Sequence, residues 1–209
     1  MRRLSLASGL AWLATHNMNI GDLVAELSSD SLNPELNFKV AEEYRLLNQT
    51  ASAVSFYLRV VELGKDTHPL FSYCALIRMS ECFSSQNDRN LTVTGALLQA
   101  ITLIPDAPDA YFLLARAYES MNSWQESYTW AVIGSQIERL RPVGYFQFPV
   151  STGYPGRFCF SYQKAISAFW IGRLVESRRE LKILDAIDDI PEEYKNSIKF
   201  NLERLNAFI

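Results

Sequence analysis

Residues able to do chemistry are few in this chain of 209 residues, and their spacing does not favour catalysis. The histidines are His16 and His68, and neither has a His, Cys, Asp or Glu neighbour at the short spacing that metal ligands use. His68 precedes Pro69 and reads as a solvated turn residue. Cys74 and Cys82 fall on one expected helix, roughly 12 Å apart along its axis and beyond disulfide reach. With Cys159 they read as small buried apolar residues, in a reducing compartment or with no redox role at all. Adjacent carboxylates occur at Glu42-Glu43, Asp188-Asp189 and Glu192-Glu193. Neighbours on a helix point in different directions, whereas acid–base catalysis needs groups that converge. The sequence contains no G-x-S-x-G, no P-loop and no G-x-G-x-x-G. Asn48-Gln49-Thr50 and Asn90-Leu91-Thr92 match a glycosylation acceptor but read as turns. No catalytic, cofactor-binding or metal-binding residue is assigned, no cofactor is expected, and the chain reads as a non-enzyme.

The elements that hold these residues are helical. Hydrophobic residues make up 48% of the chain, enough for a sizeable core. A net charge of −3 lacks the basic surplus of nucleic-acid binders, so no nucleic-acid partner is expected. No stretch approaches the roughly 18 apolar residues of a membrane span, so no membrane partner is expected either. Met1-Arg2-Arg3 and the following apolar stretch to Ala14 resemble a secretory leader only in outline. Ser5, Ser8 and Gly9 interrupt the stretch and no A-x-A-like site follows. An amphipathic helix presenting Leu6, Leu10 and Leu13 is expected instead.

Apolar residues recur at spacings of three and four along most of the chain, the period of a helix. Polar clusters break the pattern at Ser28–Ser31, Asn48–Thr50, Gly64–Asp66, Gln86–Asp88, Pro105–Pro108, Met121–Ser123 and Asp188–Pro191. Short connections of this kind make antiparallel neighbours. Residues 1–32 are expected to form an N-terminal helical segment. Residues 33–209 form a solenoid, with an aromatic, Pro- and Gly-rich insertion at 140–158 and a C-terminal capping helix that opens at Pro191 and carries Ile198, Leu202 and Leu205.

The segment Ala107–Gly134 shows the repeat best. Tyr111, Leu114, Ala115 and Tyr118 share one helix face, a turn follows at Met121–Trp124, and Ser127, Ala131 and Gly134 form the inner face of a second helix. Small residues at Ala115 and Ser127 let the two helices approach closely. This resembles the tetratricopeptide unit of about 34 residues. Three further segments fit less well. One carries Val40, Ala41 and Tyr44 with Ala53, Tyr57 and Val60. The next carries Leu76, Met79, Ser80 and Phe83 with Leu97 and Ala100, and has one extra residue in its turn. The last carries Ala165, Ala168 and Phe169 with Ser177, Leu181 and Leu184, and Gly172 stands at its helix end. The expectation is an all-α, tetratricopeptide-like solenoid of four helix pairs.

Ala41–Gly64, Pro105–Gly134, Tyr154-Pro155-Gly156 and Ala165–Leu181 resemble the tetratricopeptide-like region that accompanies many bacterial and phage-encoded glycosyltransferases. The resemblance covers roughly residues 33–206. It implies a helical region that works beside a nucleotide-sugar transferase, or a stand-alone version of the kind found in tailed bacteriophages. The transferase's own Asp-x-Asp region has no counterpart here, so the resemblance does not imply its activity.

What remains are binding surfaces. In such arrays the first helix of each pair lines a concave groove. By register that face carries Phe38, Glu42 and Arg45, then Ile77, Glu81 and Ser84, then Phe112, Arg116 and Glu119. Mixed Arg, Glu and apolar residues suit a protein partner that offers a peptide or helix. The rival surface is the insertion, with Tyr145, Phe146 and Phe148. Two readings stay open: a protein-interaction scaffold in the cytoplasm, recruiting a glycosyltransferase, or a minor capsid, neck or tail subunit of a virion.

Overall fold

A computed structural model describes residues 19–86, 88–140 and 146–206. Ten α-helices and no strand occur among them. They are α1 (Ile20–Ser29), α2 (Pro34–Leu46), α3 (Thr50–Gly64), α4 (Pro69–Ser84), α5 (Asn90–Leu103), α6 (Pro108–Ser120), α7 (Trp124–Leu140), α8 (Phe158–Trp170), α9 (Leu174–Asp185) and α10 (Glu192–Asn206). Leu6, Leu10 and Leu13 of the expected N-terminal helix lie outside the described residues.

Helices α2 to α9 form the four expected pairs, each closed by a short turn. Three of the four pairs start alike: Pro34, Pro69 and Pro108 each occupy the first helical turn, where a missing N–H costs no hydrogen bond. Three pairs also turn alike. Asn48, Asn122 and Gly172 take φ of 57°, 58° and 80°. Past each of them the next N–H reaches back to the first helix: Gln49 to the Tyr44 carbonyl at 2.8 Å, Ser123 to Tyr118 at 2.9 Å and Arg173 to Ala168 at 2.8 Å. A left-handed residue followed by this reach-back ends a helix and satisfies its last carbonyls. The turn between α4 and α5 spans 85–89, against 47–49, 121–123 and 171–173 in the other pairs. It is therefore longer by two residues, where the sequence pattern gave one, and its left-handed residue is Asp88.

The chain divides into two compact units. The first holds α1–α5 with residues 146–152, and the second holds α6–α10 with residues 153–157. In the first, Leu23, Leu27, Leu36 and Val40 form a buried cluster against Tyr44 and Phe56. In the second, Ala165, Leu181, Leu184, Ile190, Ile198 and Leu205 do the same under Tyr162, Phe169 and Tyr194. First helices touch both the second helix of their own pair and elements of a neighbouring pair, so α4 is buried almost all round, from Ser72 to Phe83. Second helices bury one stripe, as α3 does with Ala53, Tyr57, Val60 and Gly64. Ala115 and Ser127 are both fully buried. A closer approach that demands a glycine lies further along α7: a Cβ at Gly134 would fall 2.2 Å from Phe160 Cε1 and 2.9 Å from Tyr111 Cβ.

Candidate protein-binding cleft

The first-helix face of the first unit is occupied by its own ion network. Glu42 on α2 is buried. Its carboxylate accepts from Arg45 Nη2 at 2.8 Å, from Arg45 Nε at 3.3 Å and from the Tyr57 hydroxyl. Arg78 Nε of α4 lies 3.2 Å away, and Arg78 Nη1 donates to Glu81 at 2.8 Å. Burial pushes the Tyr57 hydroxyl far up, and the Glu42 charge pushes it further, so Tyr57 remains a donor. Burial alone would lower the Arg45 guanidinium, but the hydrogen bond and charge of Glu42 outweigh it and hold Arg45 above its ordinary value. Glu42 and Arg45 thus pair directly, and Glu81 joins them through Arg78.

Phe38 and Ile77 do not line a groove. Each is at most 1% exposed. Phe38 sits edge-on to Tyr57 and Phe71, with ring centroids 5.7 and 5.4 Å away. The cause is the double-sided packing of first helices, which buries the face that spacing alone assigned to the surface.

The second unit has an open cleft. It measures about 340 Å³ and is lined by Phe112, Arg116 and Glu119 of α6, Tyr162 and Gln163 of α8, and Glu193, Tyr194 and Ser197 of α10. The Tyr162 and Tyr194 rings stand perpendicular, at 88° and 5.1 Å, and Tyr162 Oη lies 2.6 Å from Ser197 Oγ. Gln163 is buried and donates through Nε2 to Glu119 Oε2 and to Ser127 Oγ, both at 3.0 Å. Ser167 donates to the same Ser127 hydroxyl at 2.9 Å. This buried polar chain fixes the cleft floor to α7 behind it. Arg116 is exposed, with its guanidinium 6.0 Å from the Phe112 ring. Burial pushes both Tyr162 and Tyr194 up, so both keep their protons near neutrality. The cleft offers rings, hydroxyls and one exposed charge of each sign, in Arg116 and Glu193. That composition suits recognition of a segment with polar and aromatic groups.

Three expected residues, Phe112, Arg116 and Glu119, line this cleft together. Tyr162, Gln163 and the α10 residues were missed. A signal for Tyr162 existed: the fifth residue of each first helix is aromatic, in Phe38, Tyr73, Phe112 and Tyr162. Nothing in the sequence marked the inner face of α10 as part of a site.

The described part of the insertion packs on helices of its own chain. Phe148 stacks on Tyr73 at 4.9 Å and 10°, and Phe146 stacks on Phe148 at 5.7 Å. In the second unit Tyr154 packs against Phe112 at 5.8 Å and Phe160 at 5.6 Å. Tyr145 lies outside the described residues. Among the described residues no group of three or more His, Cys, Asp or Glu side chains is placed to hold a metal, and no helix is long and apolar enough to cross a membrane.

No protein-family model matches the sequence, and no curated protein matches it. Solved structures do match in fold. The crystal structure of MamA protein superposes with a TM-score of 0.59 at 17% identity, covering 82% of this chain and 85% of that one. TTC0263, a thermophilic TPR protein of Thermus thermophilus, gives 0.53 at 13%, covering 90% and 89%. A putative kinesin light chain with TPR-like repeats from Podospora anserina gives 0.56 at 16%, covering 84% and 87%. The fold is of the tetratricopeptide type, and none of these three is described as a glycosyltransferase or a bacteriophage protein.

Proposed function

We propose that this chain is a non-catalytic protein-interaction scaffold that holds a segment of a partner protein in the cleft between α6, α8 and α10. The observation behind this reading is the open cleft itself, about 340 Å³ of ring- and hydroxyl-lined space held by three helices. Its only inward-tied carboxylate, Glu119, is occupied by Gln163, and its tyrosines are pushed away from neutral titration. Those properties favour binding over proton transfer. The tetratricopeptide-type fold supports the same reading, since helix-pair arrays present extended surfaces to proteins. The partner we put first is a separate glycosyltransferase in the cytoplasm, on the strength of the resemblance of Ala41–Gly64 and Pro105–Gly134 to regions that accompany such enzymes.

Site-specific cross-linking tests this. A photo-reactive residue at Ser197, in the cleft, is compared with one at Ser55, on the exposed side of α3. Cross-linking in cells that carry the gene should join a glycosyltransferase to the Ser197 probe and not to the Ser55 probe. Protein adducts from Ser55 with none from Ser197 would overturn the assignment of the cleft. Adducts from Ser197 to virion proteins alone would replace the glycosyltransferase with a particle subunit.

A further inference from the structure

We propose that the cleft takes an aromatic side chain from an extended partner segment, seated on Tyr162 as the chain's own insertion seats its rings on the equivalent residues of other pairs. This rests on the reading of the cleft as a protein-binding site and names the chemistry of the ligand.

The equivalence comes from the chain. Counting from the first residue of each first helix, Phe38 of α2, Tyr73 of α4, Phe112 of α6 and Tyr162 of α8 all stand fifth. In the first three pairs a ring from elsewhere in the same unit covers that position. Phe38 receives Phe71, Tyr73 receives Phe148, and Phe112 receives Tyr154. Two of those covering rings, Phe148 and Tyr154, come from a stretch that forms neither helix nor strand between residues 146 and 156. An irregular segment carrying aromatic residues is therefore what two of these positions already hold.

The fourth position differs in exposure: the Tyr194 ring meets it edge-on, yet Tyr162 stays half-buried where Phe38, Tyr73 and Phe112 are buried. A perpendicular pair forms a corner, and the open cleft lies in front of it. Rings prefer edge-to-face or offset contact with other rings, so a corner of two tyrosines favours an aromatic side chain over an aliphatic one. Arg116 at the rim adds a guanidinium that can lie over the face of an incoming ring. The volume of about 340 Å³ exceeds what one ring fills and leaves room for the main chain beside it.

The probe is a fluorescein-labelled peptide with the sequence of residues 146–154, Phe-Gln-Phe-Pro-Val-Ser-Thr-Gly-Tyr, titrated with the whole chain. Its control has all three aromatic residues replaced by leucine. Expected is saturable binding of the first peptide and about tenfold weaker binding of the second, the size of one to two lost ring contacts. Tyr162→Leu should weaken the first peptide by a similar factor. Because Tyr162 also packs on Tyr194, Glu193→Phe provides an independent variant: Glu193 is exposed, and a ring there would fill the cleft from within. It should block the probe while leaving the circular dichroism spectrum unchanged. Equal affinity for both peptides, no binding of the aromatic peptide, or binding that Glu193→Phe leaves intact would each overturn the proposal. Partner cross-links from Ser197 without aromatic selectivity would sink this inference alone. Aromatic selectivity at Tyr162 without partner cross-links would instead sink the scaffold reading.

Discussion

Glu42 holds two guanidiniums and a phenol around one buried carboxylate. Spacing on α2 put Glu42 and Arg45 on a common face, and that relation is correct. It could not tell that Arg78 of α4 and Tyr57 of α3 would close the network from the other side, because both are contributed by different helices. The same limit misplaced Phe38 and Ile77, which periodicity aligns with surface residues but neighbouring helices cover. Removing the carboxylate charge strands the cations: Glu42→Gln should cost about 3 kcal/mol, because a buried pair broken on one side leaves an uncompensated charge. Denaturant unfolding measures it, and an unchanged midpoint would show that the network contributes nothing. Tyr57 gives the network a pH dependence. Its hydroxyl titrates near pH 10 when unfolded and well above that when folded. As pH rises past about 10 the unfolded chain therefore binds fewer protons than the folded one, and stability falls. Tyr57→Phe should flatten that alkaline loss, and an identical pH profile in the variant would contradict the assignment.

The helices themselves were the most legible layer. Apolar spacing gave the pairs, and the polar breaks at Asn48–Thr50, Pro105–Pro108 and Met121–Ser123, with Gly172, marked where helices stop, since each acts through local backbone geometry. Turn length was less legible at 85–89, where the polar run Ser85–Arg89 contains no residue type that fixes a count. The element scale also separates two glycines that look alike in sequence. Gly172 ends α8 at φ 80°, a conformation that a Cβ opposes. Gly95 lies inside α5, and a Cβ added there meets nothing within 4 Å. Gly172→Ala should lose about 1 kcal/mol through left-handed strain. Gly95→Ala should gain roughly 0.5–1 kcal/mol by removing backbone freedom from the unfolded chain. Thermal melts of the two single variants should move in opposite directions, and a shift of the same sign in both would show that one of the two backbone conformations is wrong.

At the scale of the whole molecule, the sequence made the tetratricopeptide-type architecture readable, while most of the cleft was not. Phe112, Arg116 and Glu119 could be found because they share one helix; Glu193, Tyr194 and Ser197 join them only through the placement of α10. The same scale bears on catalysis. A nucleotide-sugar transferase concentrates carboxylates around a metal and a diphosphate, and the aspartates here are dispersed instead. Asp109 is buried in the first turn of α6, where a helix N-terminus favours a negative charge. Asp185, Asp188 and Asp189 are exposed around the end of α9. The cleft carries one exposed cation at its rim and two carboxylates, Glu119 and Glu193, a balance that repels a diphosphate more than it attracts one. Isothermal titration of the purified chain with UDP-glucose and manganese should therefore give no binding heat, and prolonged incubation should release no glucose. Saturable heat that requires the metal would show a sugar-nucleotide site, and glucose release that tracks the protein through purification would show that the chain is an enzyme.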